Sequence, residues 1–334
     1  MKRAGNLYLR IAEPDNLRLA FHKACRGKCD RCEVVQYRQQ LNGNLALLRQ
    51  QLLDQSLSVG DYRFFEVFDP KQRQICAAAF RERVLHHAIM NICDPVLDRY
   101  AIFDSYACRL DKGQRKAISR AQEFSRRDSW YLKLDIRKYF DSIDHEKLLE
   151  LLQRRIKDQR LLALFVKIVE SYSTAPGKGL PIGNLVSQHL ANYYLGRLDH
   201  WIKDDLGVRG YLRYMDDFLL FGTTRQELKL RLGQITMFLA EELRLDLKEN
   251  IQLNRCRLGI PFLGYRIAPA NVRLTRRSGD RFRDKLQLYE ARYLDGNWDE
   301  QQLVNHVQPL VEFTRFANSS GLRRQIIEAS GVAL

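Results

Sequence analysis

Residues 210–222 read GYLRYMDDFLLFG, and this stretch decides the fold. Two short apolar runs enclose the pair Asp216-Asp217, a pattern typical of a β-hairpin with an acidic turn. Adjacent carboxylates repel each other, and a turn between buried strands is an unfavourable place to leave them unpaired. A divalent cation would relieve that repulsion, and oxygen ligands favour Mg²⁺. Taken alone, the dipeptide also suits an ordinary acidic turn.

A third carboxylate is supplied by a second predicted strand. Residues 130–136 read WYLKLDI, alternate in polarity, and place Asp135 near the end of the strand. Two Mg²⁺ ions about 3.5–4 Å apart, bridged by such carboxylates, are the arrangement by which polymerases activate a 3′-hydroxyl and stabilise the leaving pyrophosphate. Asp135, Asp216 and Asp217 are therefore the candidate catalytic and metal-binding residues.

The rest of the chain reads as helices with short connections. Hydrophobic spacing predicts helices over residues 17–32, 41–57, 81–100, 145–155, 161–172, 185–204, 227–243 and from 276 onward. Asp144 is a predicted N-cap, residues 175–183 a Gly/Pro loop, and residues 262–267 a strand pair or turn. The predicted fold class is α+β, with an antiparallel sheet and helices on one face.

Composition limits the classes of function. The 334 residues carry 55 Lys+Arg and 40 Asp+Glu, a net charge of +15, and 45% are hydrophobic. A disordered chain is excluded, and the positive charge favours a polyanionic partner such as nucleic acid, although a merely basic globular protein has the same balance. No apolar run of membrane-spanning length and no secretory leader is visible, so we expect a cytoplasmic protein that does not engage a membrane. Seven cysteines fit a reducing compartment.

Four potential metal ligands cluster near the N-terminus: His22, Cys25, Cys29 and Cys32. The three cysteines follow a Cys-x3-Cys-x2-Cys spacing, which resembles the iron–sulfur triad of radical enzymes. On the predicted helix, however, they would spread over about 15 Å, too far for one ion. Structural thiols are the favoured interpretation, with zinc or a cluster as alternatives.

Four motifs in order carry a resemblance to reverse transcriptases. Residues 214–217 (YMDD) match the catalytic box of that family, residues 134–144 its first palm motif, and residues 179–188 the palm loop and helix that follow. Residues 262–265 (FLGY) resemble its primer grip and are called the grip turn below. The match extends from about residue 70 to residue 265. It implies a right-hand polymerase with an N-terminal helical extension (1–60), fingers and palm (61–265) and a helical basic thumb (266–334).

The resemblance also implies roles for individual residues. Phe140 falls at the steric gate that excludes ribonucleotides, although an apolar residue there could equally be core. The fingers cations Lys71 and Arg73 would grip the triphosphate, unless they form a solvated basic surface. Lys248 would protonate pyrophosphate. The implied nucleotide-binding set is Lys71, Arg73, Phe140, Ile182, Gly183, Gln188 and Lys248, and the implied primer grip is Phe262, Leu263, Gly264 and Tyr265.

Two departures from the general motif indicate a subgroup. The usual Gln-Gly followed by Ser-Pro is replaced by Ile182-Gly183 and Ser187-Gln188, which is similar to reverse transcriptases of diversity-generating retroelements. Those enzymes copy a template-repeat RNA into cDNA with errors at adenines, and they use dNTPs, a DNA or cDNA primer and a small basic accessory protein oligomer. Ile182 replaces an amide by a group that makes no hydrogen bond, which would hold the base pair less tightly. The alternative is a packing change without effect on fidelity.

Two further functions stay open. A retron or phage-defence reverse transcriptase would share the chemistry and differ in its RNA. For either kind of reverse transcriptase, we expect the protein to be encoded by bacteria, archaea or phages. A non-catalytic RNA-binding scaffold with a palm fold belongs to another class, but a scaffold has no reason to keep three clustered carboxylates.

Overall fold

The computed structural model describes residues 3–68 and 72–329. The chain divides into two compact units, and each is built from discontinuous segments. The first unit comprises Met1–Arg109, Asp135–Gly207 and Gln234–Glu249, and the second comprises Leu110–Leu134, Val208–Gly233 and Asn250–Leu334.

The elements follow in chain order. The helices are α1 (Tyr8–Ile11), α2 (Pro14–Cys25), α3 (Cys32–Gln39), α4 (Leu41–Leu53), α5 (Phe80–Asp98), α6 (Gln114–Arg127), α7 (Tyr139–Ser142), α8 (His145–Gln153), α9 (Gln159–Glu170), α10 (Leu185–Tyr194), α11 (Gly196–His200), α12 (Arg225–Leu243), α13 (Arg276–Leu294), α14 (Glu300–Arg315) and α15 (Ser320–Ala329). The strands are β1 (Tyr62–Val67), β2 (Arg73–Ala78), β3 (Trp130–Asp135), β4 (Tyr211–Tyr214), β5 (Asp217–Gly222), β6 (Gln252–Arg255), β7 (Ile260–Phe262), β8 (Tyr265–Ile267) and β9 (Val272–Leu274).

The first unit is mainly helical. Helix α5 packs against α2 and α10 through an apolar face that includes Val84, Ala88 and Ile89, all fully buried. These residues recur at helical spacing, so burial of one face accounts for the stability of the helix. Strands β1 and β2 form a separate antiparallel hairpin in which Phe64 lies opposite Cys76.

The second unit contains two sheets. Its four-stranded sheet has the order β4-β5-β3-β6, and its three-stranded sheet the order β7-β8-β9. Strands β4 and β5 are antiparallel with Tyr214 opposite Asp217, which confirms the predicted hairpin. The interior strand residues Leu212, Phe218 and Leu219 are completely buried, so the apolar runs that predicted the hairpin are its core. Helices α13, α14 and α15 share an apolar cluster that includes Phe282, Leu286 and Leu303.

Three helix predictions needed correction. The helix predicted over residues 17–32 ends at Cys25, because Gly27 takes a left-handed φ of +67° and a new helix begins at Cys32. The helix predicted over 41–57 ends at Leu53, two residues before Gln55 adopts a φ of +56°. The segment 185–204 is not one regular helix. It consists of α10, α11 and a π-helical turn over Trp201–Asp205.

The other predicted helices lie where periodicity placed them, within two residues at most ends, whereas α6 was not predicted. The side chain of Asp144 accepts a hydrogen bond from the backbone N–H of Lys147 at 3.0 Å, which confirms the predicted N-cap of α8. Within the described parts of the chain, no helix combines the length and the apolar character needed to cross a membrane.

Candidate active site

The acidic pair lies at the tip of the β4–β5 hairpin. Met215 takes a left-handed φ of +56°, Asp216 occupies the turn, and Asp217 is the first residue of β5. Both carboxylates are partly exposed, whereas the following residue, Phe218, is fully buried. The hairpin therefore presents the acids at its end and buries its apolar strands.

A buried arginine supports this turn. Arg213 is completely buried in β4, and its Nη1 donates a hydrogen bond to the carbonyl oxygen of Met215 at 3.0 Å. A charged donor to a backbone carbonyl makes a stronger hydrogen bond than a neutral one. This contact fixes the backbone on the residue immediately before Asp216. Arg213 was not predicted as a site residue, although a charge inside an apolar strand was a visible signal.

Lys133 connects the acidic hairpin to the strand before the grip turn. Its Nζ lies 3.1 Å from Asp217 Oδ2, 3.1 Å from the carbonyl oxygen of Pro261, and 6.0 Å from the centre of the Phe262 ring. All four residues belong to the second unit. Lys133 was not among the predicted site residues. The available signal was its place two residues before Asp135, which puts both on one face of β3.

Asp135 is paired with Lys248 inside the first unit. The Nζ of Lys248 donates to Asp135 Oδ1 at 2.6 Å, and the backbone N–H of Lys248 donates to the carbonyl oxygen of Asp135 at 2.8 Å. A bridge between Ile136 and Leu247 continues this pairing. The two side chains are 31% and 38% exposed, so the ion pair is accessible to solvent.

The carboxylates fit a hard divalent cation by their chemistry. In the sheet order, β3, which ends at Asp135, is the neighbour of β5, which begins at Asp217. Carboxylate oxygens are the ligands that Mg²⁺ prefers. Across residues 3–68 and 72–329, no group of three or more His, Cys, Asp or Glu side chains is arranged to hold a metal ion. Asp135 and Asp217 instead each contact a lysine.

The N-terminal cysteines do not lie on one helix. Cys25 ends α2 and is buried, whereas Cys29 and Cys32 are exposed. The Cys29 thiol donates to the carbonyl oxygen of Cys25 at 3.4 Å. Because the turn at Gly27 ends the helix after Cys25, the three cysteines do not lie along a single helix, and that prediction was wrong.

The loop after α9 is hydrogen-bonded both to β2 and to the segment that carries Phe140. The N–H of Leu180 donates to the carbonyl oxygen of Phe140 at 2.8 Å, and the N–H of Cys76 donates to that of Ile182 at 2.8 Å. Gly183 has a φ of +111°, and a Cβ there would lie 2.9 Å from Ile75 Cγ2. Only glycine fits this crossing without strain. The structure thus brings Phe140, Ile182 and Gly183 together with β2.

Phe140 and Ile182 are both partly exposed. The neighbouring Tyr139 is 3% exposed and donates its hydroxyl hydrogen to the carbonyl oxygen of Ala191, so it makes the core contact at this point of the chain. Phe140 is thereby left at the surface of the first unit beside the loop.

The other candidate nucleotide contacts are less close to this loop. Arg73 is exposed at the start of β2, and Lys71 lies outside the described residues. Gln188 is one turn into α10, where its Oε1 lies 3.8 Å from the Cys108 sulfur.

The grip turn is tightly held within the second unit. Leu263 and Gly264 have φ values of +49° and +87°, the two positive values of a type I′ hairpin turn. The carbonyl oxygen of Leu263 accepts from Gln114 Nε2 at 2.7 Å, and that of Gly264 accepts from the Ser278 hydroxyl at 2.7 Å. The hydroxyl of Tyr265 donates to the carbonyl oxygen of Phe313 at 2.6 Å, and burial raises the pKa of Tyr265 to about 12. Three helices therefore fix this turn.

Comparisons with known proteins point to one family. A family model described as reverse transcriptase (RNA-dependent DNA polymerase) matches residues 69–267. Protein YkfC from Escherichia coli (strain K12) is 26% identical over 279 residues, which is 68% of this chain and 73% of that protein. The group II intron-encoded protein LtrA from Lactococcus lactis subsp. cremoris is 25% identical over 143 residues, and the putative COX1/OXI3 intron 1 protein from Saccharomyces cerevisiae is 25% identical over 170 residues. The matches span 40% and 47% of this chain, but only 23% and 20% of those two proteins.

The fold is similar to a solved telomerase. The apo telomerase from Candida tropicalis superimposes with a TM-score of 0.51 at 11% identity, covering 83% of this chain and 60% of that chain. This likeness concerns the fold alone, and with the family match it confirms the predicted α+β polymerase class. Because the family model covers well over half of the residues, and its range contains both the acidic hairpin and the grip turn, the chain belongs to the reverse transcriptase (RNA-dependent DNA polymerase) family.

Proposed function

We propose that this protein synthesises DNA on an RNA template, with Asp135, Asp216 and Asp217 as its catalytic carboxylates. The observation that carries the proposal is the placement of Asp216 and Asp217 at the tip of β4–β5, in a sheet where β5 neighbours the strand that ends at Asp135. Two Mg²⁺ ions, when bound, would activate the primer 3′-hydroxyl and stabilise the pyrophosphate leaving group.

The protein's own residues would position the reactants. The ring of Phe140 would contact the sugar of the incoming dNTP, and Gly183, by allowing the close crossing with β2, would hold the loop that carries Ile182 beside the base pair. Arg73 and Lys71 would neutralise the triphosphate. The grip turn, fixed by Gln114 and Ser278, would hold the primer end. Held reactants convert a bimolecular reaction into an effectively unimolecular one.

Primer extension on an RNA template tests the proposal. Asp216→Asn keeps the size of the side chain and removes its charge, and we expect extension to disappear while RNA binding persists. Asp205→Asn, an exposed carboxylate on the π-helical turn of the first unit, is the matched control and should extend normally. Normal extension by Asp216→Asn would overturn the assignment.

We propose further that copying is error-prone at adenines and serves a diversity-generating retroelement. The support is Ile182. Its backbone is fixed by Cys76, and its side chain is partly exposed and has no hydrogen-bonding group. A loss of about 1.4 kcal/mol in the discrimination between correct and wrong nucleotides raises misincorporation tenfold.

The error spectrum tests this finer proposal. Ile182→Gln should lower errors opposite template adenine more than opposite other bases, because an amide can again restrain the base pair. Leu230→Gln makes the same chemical change at an exposed position of α12, 63% accessible, and should leave the spectrum unchanged. An unaltered spectrum in Ile182→Gln would place the source of error elsewhere.

The choice of RNA separates the candidate roles. In a retroelement, a template-repeat RNA and a small basic accessory protein oligomer would complete the active particle. The intron-encoded relatives favour a structured intron RNA as the second candidate template. A retron or phage-defence enzyme would instead copy its own non-coding RNA. Comparing cDNA yield on the three RNAs, with and without the accessory protein, distinguishes them. We expect efficient template-repeat cDNA only when that protein is present.

A further inference from the structure

A second concave surface lies in the first unit, and none of its lining residues belongs to the site described above. It encloses about 370 Å³ and is lined by three arginines and three aromatic rings: Arg154, Arg155, Arg197, Tyr100, Tyr193 and His200. No carboxylate is among the described residues that line it. We call this concavity the arginine–tyrosine pocket.

The rings of the pocket are held in a fixed stack. The His200 ring stacks on the Tyr100 ring with centroids 4.5 Å apart and an interplanar angle of 24°. The guanidinium carbon of Arg155 lies 4.0 Å from the centre of the same Tyr100 ring. His200 Nε2 is 2.7 Å from the Tyr100 carbonyl oxygen, and a Cβ at Gly196 would approach Tyr100 Cε1 to 2.8 Å. The wall is therefore close-packed, and a glycine makes room for it.

Two arginines at the pocket keep donor capacity. Arg154 is 55% exposed and pairs with Glu150 on the preceding turn of α8. Arg197 is 32% exposed, and its acidic partner Glu242 is 3.9 Å away, beyond hydrogen-bonding distance. A guanidinium carries five N–H donors in a planar fork that matches a phosphate.

We propose that the arginine–tyrosine pocket binds single-stranded RNA, with Arg154 and Arg197 on its phosphates and the His200 ring, 32% exposed at the outer end of the stack, against a base. The proposal rests on the proposed function in one respect: the use of an RNA template is the reason for choosing RNA as the bound polymer. A positively charged surface beside an aromatic ring on which a base can stack is the combination by which proteins bind single strands without reading their sequence. The volume falls within the range of small-ligand sites, large enough for one nucleotide. An acidic protein segment would use the arginines but has no need of the rings.

Fluorescence anisotropy with a short fluorescein-labelled oligouridylate tests the pocket. The double variant Arg154→Gln/Arg197→Gln should bind more weakly than the wild type, and its logarithmic salt dependence should be shallower by about 1.4, because each single-strand phosphate contact contributes about 0.7. The control Arg49→Gln/Arg160→Gln removes the same charge from exposed positions of the first unit and should keep the wild-type slope. Equal slopes in all three proteins would overturn the proposal.

Crosslinking locates the contact. A 4-thiouridine oligomer irradiated with the wild type in EDTA should attach to peptides that contain Tyr100 or His200, and the attachment should be lost in the double variant. Polyglutamate of matched charge should not prevent it, and competition equal to that of RNA would overturn the choice of ligand. Neither measurement needs polymerisation. Crosslinking without primer extension would therefore count against the proposed function alone, and extension without crosslinking would count against the pocket alone.

Discussion

Lys248 holds Asp135 twice, once through its ammonium group at 2.6 Å from Oδ1 and once through its backbone N–H at 2.8 Å from the carbonyl oxygen. The backbone hydrogen bond fixes the main-chain position of Lys248, so its ammonium group stays beside the Asp135 carboxylate. A cation that binds Asp135 must compete with this charge. In the proposed function, the same ammonium group would protonate the leaving pyrophosphate.

Replacement of this lysine should separate the two effects. We expect Lys248→Met to reach half-maximal extension at a lower Mg²⁺ concentration, because the competing charge is gone. Its maximal rate should fall by about 100-fold, the usual size of a general-acid contribution. Magnesium titrations of primer extension measure both quantities. Lys229→Met, exposed on α12, should change neither. An unchanged magnesium midpoint would show that the ion pair does not compete with the metal.

Phe140→Ala should relax sugar selection. With the ring gone, a ribose 2′-hydroxyl meets no obstacle, so rNTP incorporation should rise relative to dNTP incorporation. Because Phe140 is partly exposed, we expect the variant to lose less stability than the about 3–5 kcal/mol of a buried phenylalanine. Tyr139→Phe, which removes the hydroxyl that bonds Ala191, should lower stability and leave sugar selection unchanged. A constant rNTP/dNTP ratio in Phe140→Ala would remove the gate assignment.

The grip turn should tolerate no side chain at Gly264. Its φ is +87°, and a Cβ would lie 3.0 Å from both Phe313 Cζ and Ser278 Oγ. We expect Gly264→Ala to lower the free energy of unfolding by about 1–3 kcal/mol and to weaken primer use. Gly233→Ala is the opposite case, since it lies in α12 with nothing within 4 Å of the added methyl group. That control should gain about 0.5–1 kcal/mol, because alanine is the better helix former. Urea unfolding compares the two, and equal stability would show that the turn is not strained.

Asp144 should make stability depend on pH. Burial raises the pKa of this carboxyl, but hydrogen bonds from the Lys147 backbone N–H and from Arg244 outweigh burial and hold the pKa below its usual value. A depressed pKa in the folded state stabilises the protein above the unfolded value, about 3.9, and this stabilisation is lost as pH falls through the folded value. Asp144→Asn should therefore be less stable than the wild type at pH 7, and the difference should shrink below about pH 4. A difference that is constant with pH would exclude the charge as its source.

Local patterns were enough to predict several elements of the fold. The β4–β5 hairpin, the cap at Asp144 and helix α5 each depend on residues close in sequence, so their periodicity and turn chemistry are visible without tertiary structure. The grip turn was also predicted, although its clamping by Gln114 and Phe313 depends on helices far along the chain.

The errors come from features that periodicity does not encode. The β1–β2 hairpin was not predicted, because Phe64 and Phe65 lie on opposite faces and are both exposed, so no apolar alternation marks the strand. Lys133 was not predicted because the residues it contacts, Asp217 and Pro261, are far from it in sequence. The break at Gly27 was missed because one left-handed residue interrupts an otherwise helical pattern.

The Cys76 N–H donates a hydrogen bond to the Ile182 carbonyl oxygen, so if Ile182 sets the fidelity of copying as proposed, that fidelity would depend on the position of the β1–β2 hairpin. If β2 shifts, Ile182 must shift with it, because Gly183 packs directly against Ile75 of β2. Error rate would then be a heritable property of the whole β1–β2 hairpin. Selection for more or fewer mutations could then act on substitutions in that hairpin without altering Ile182.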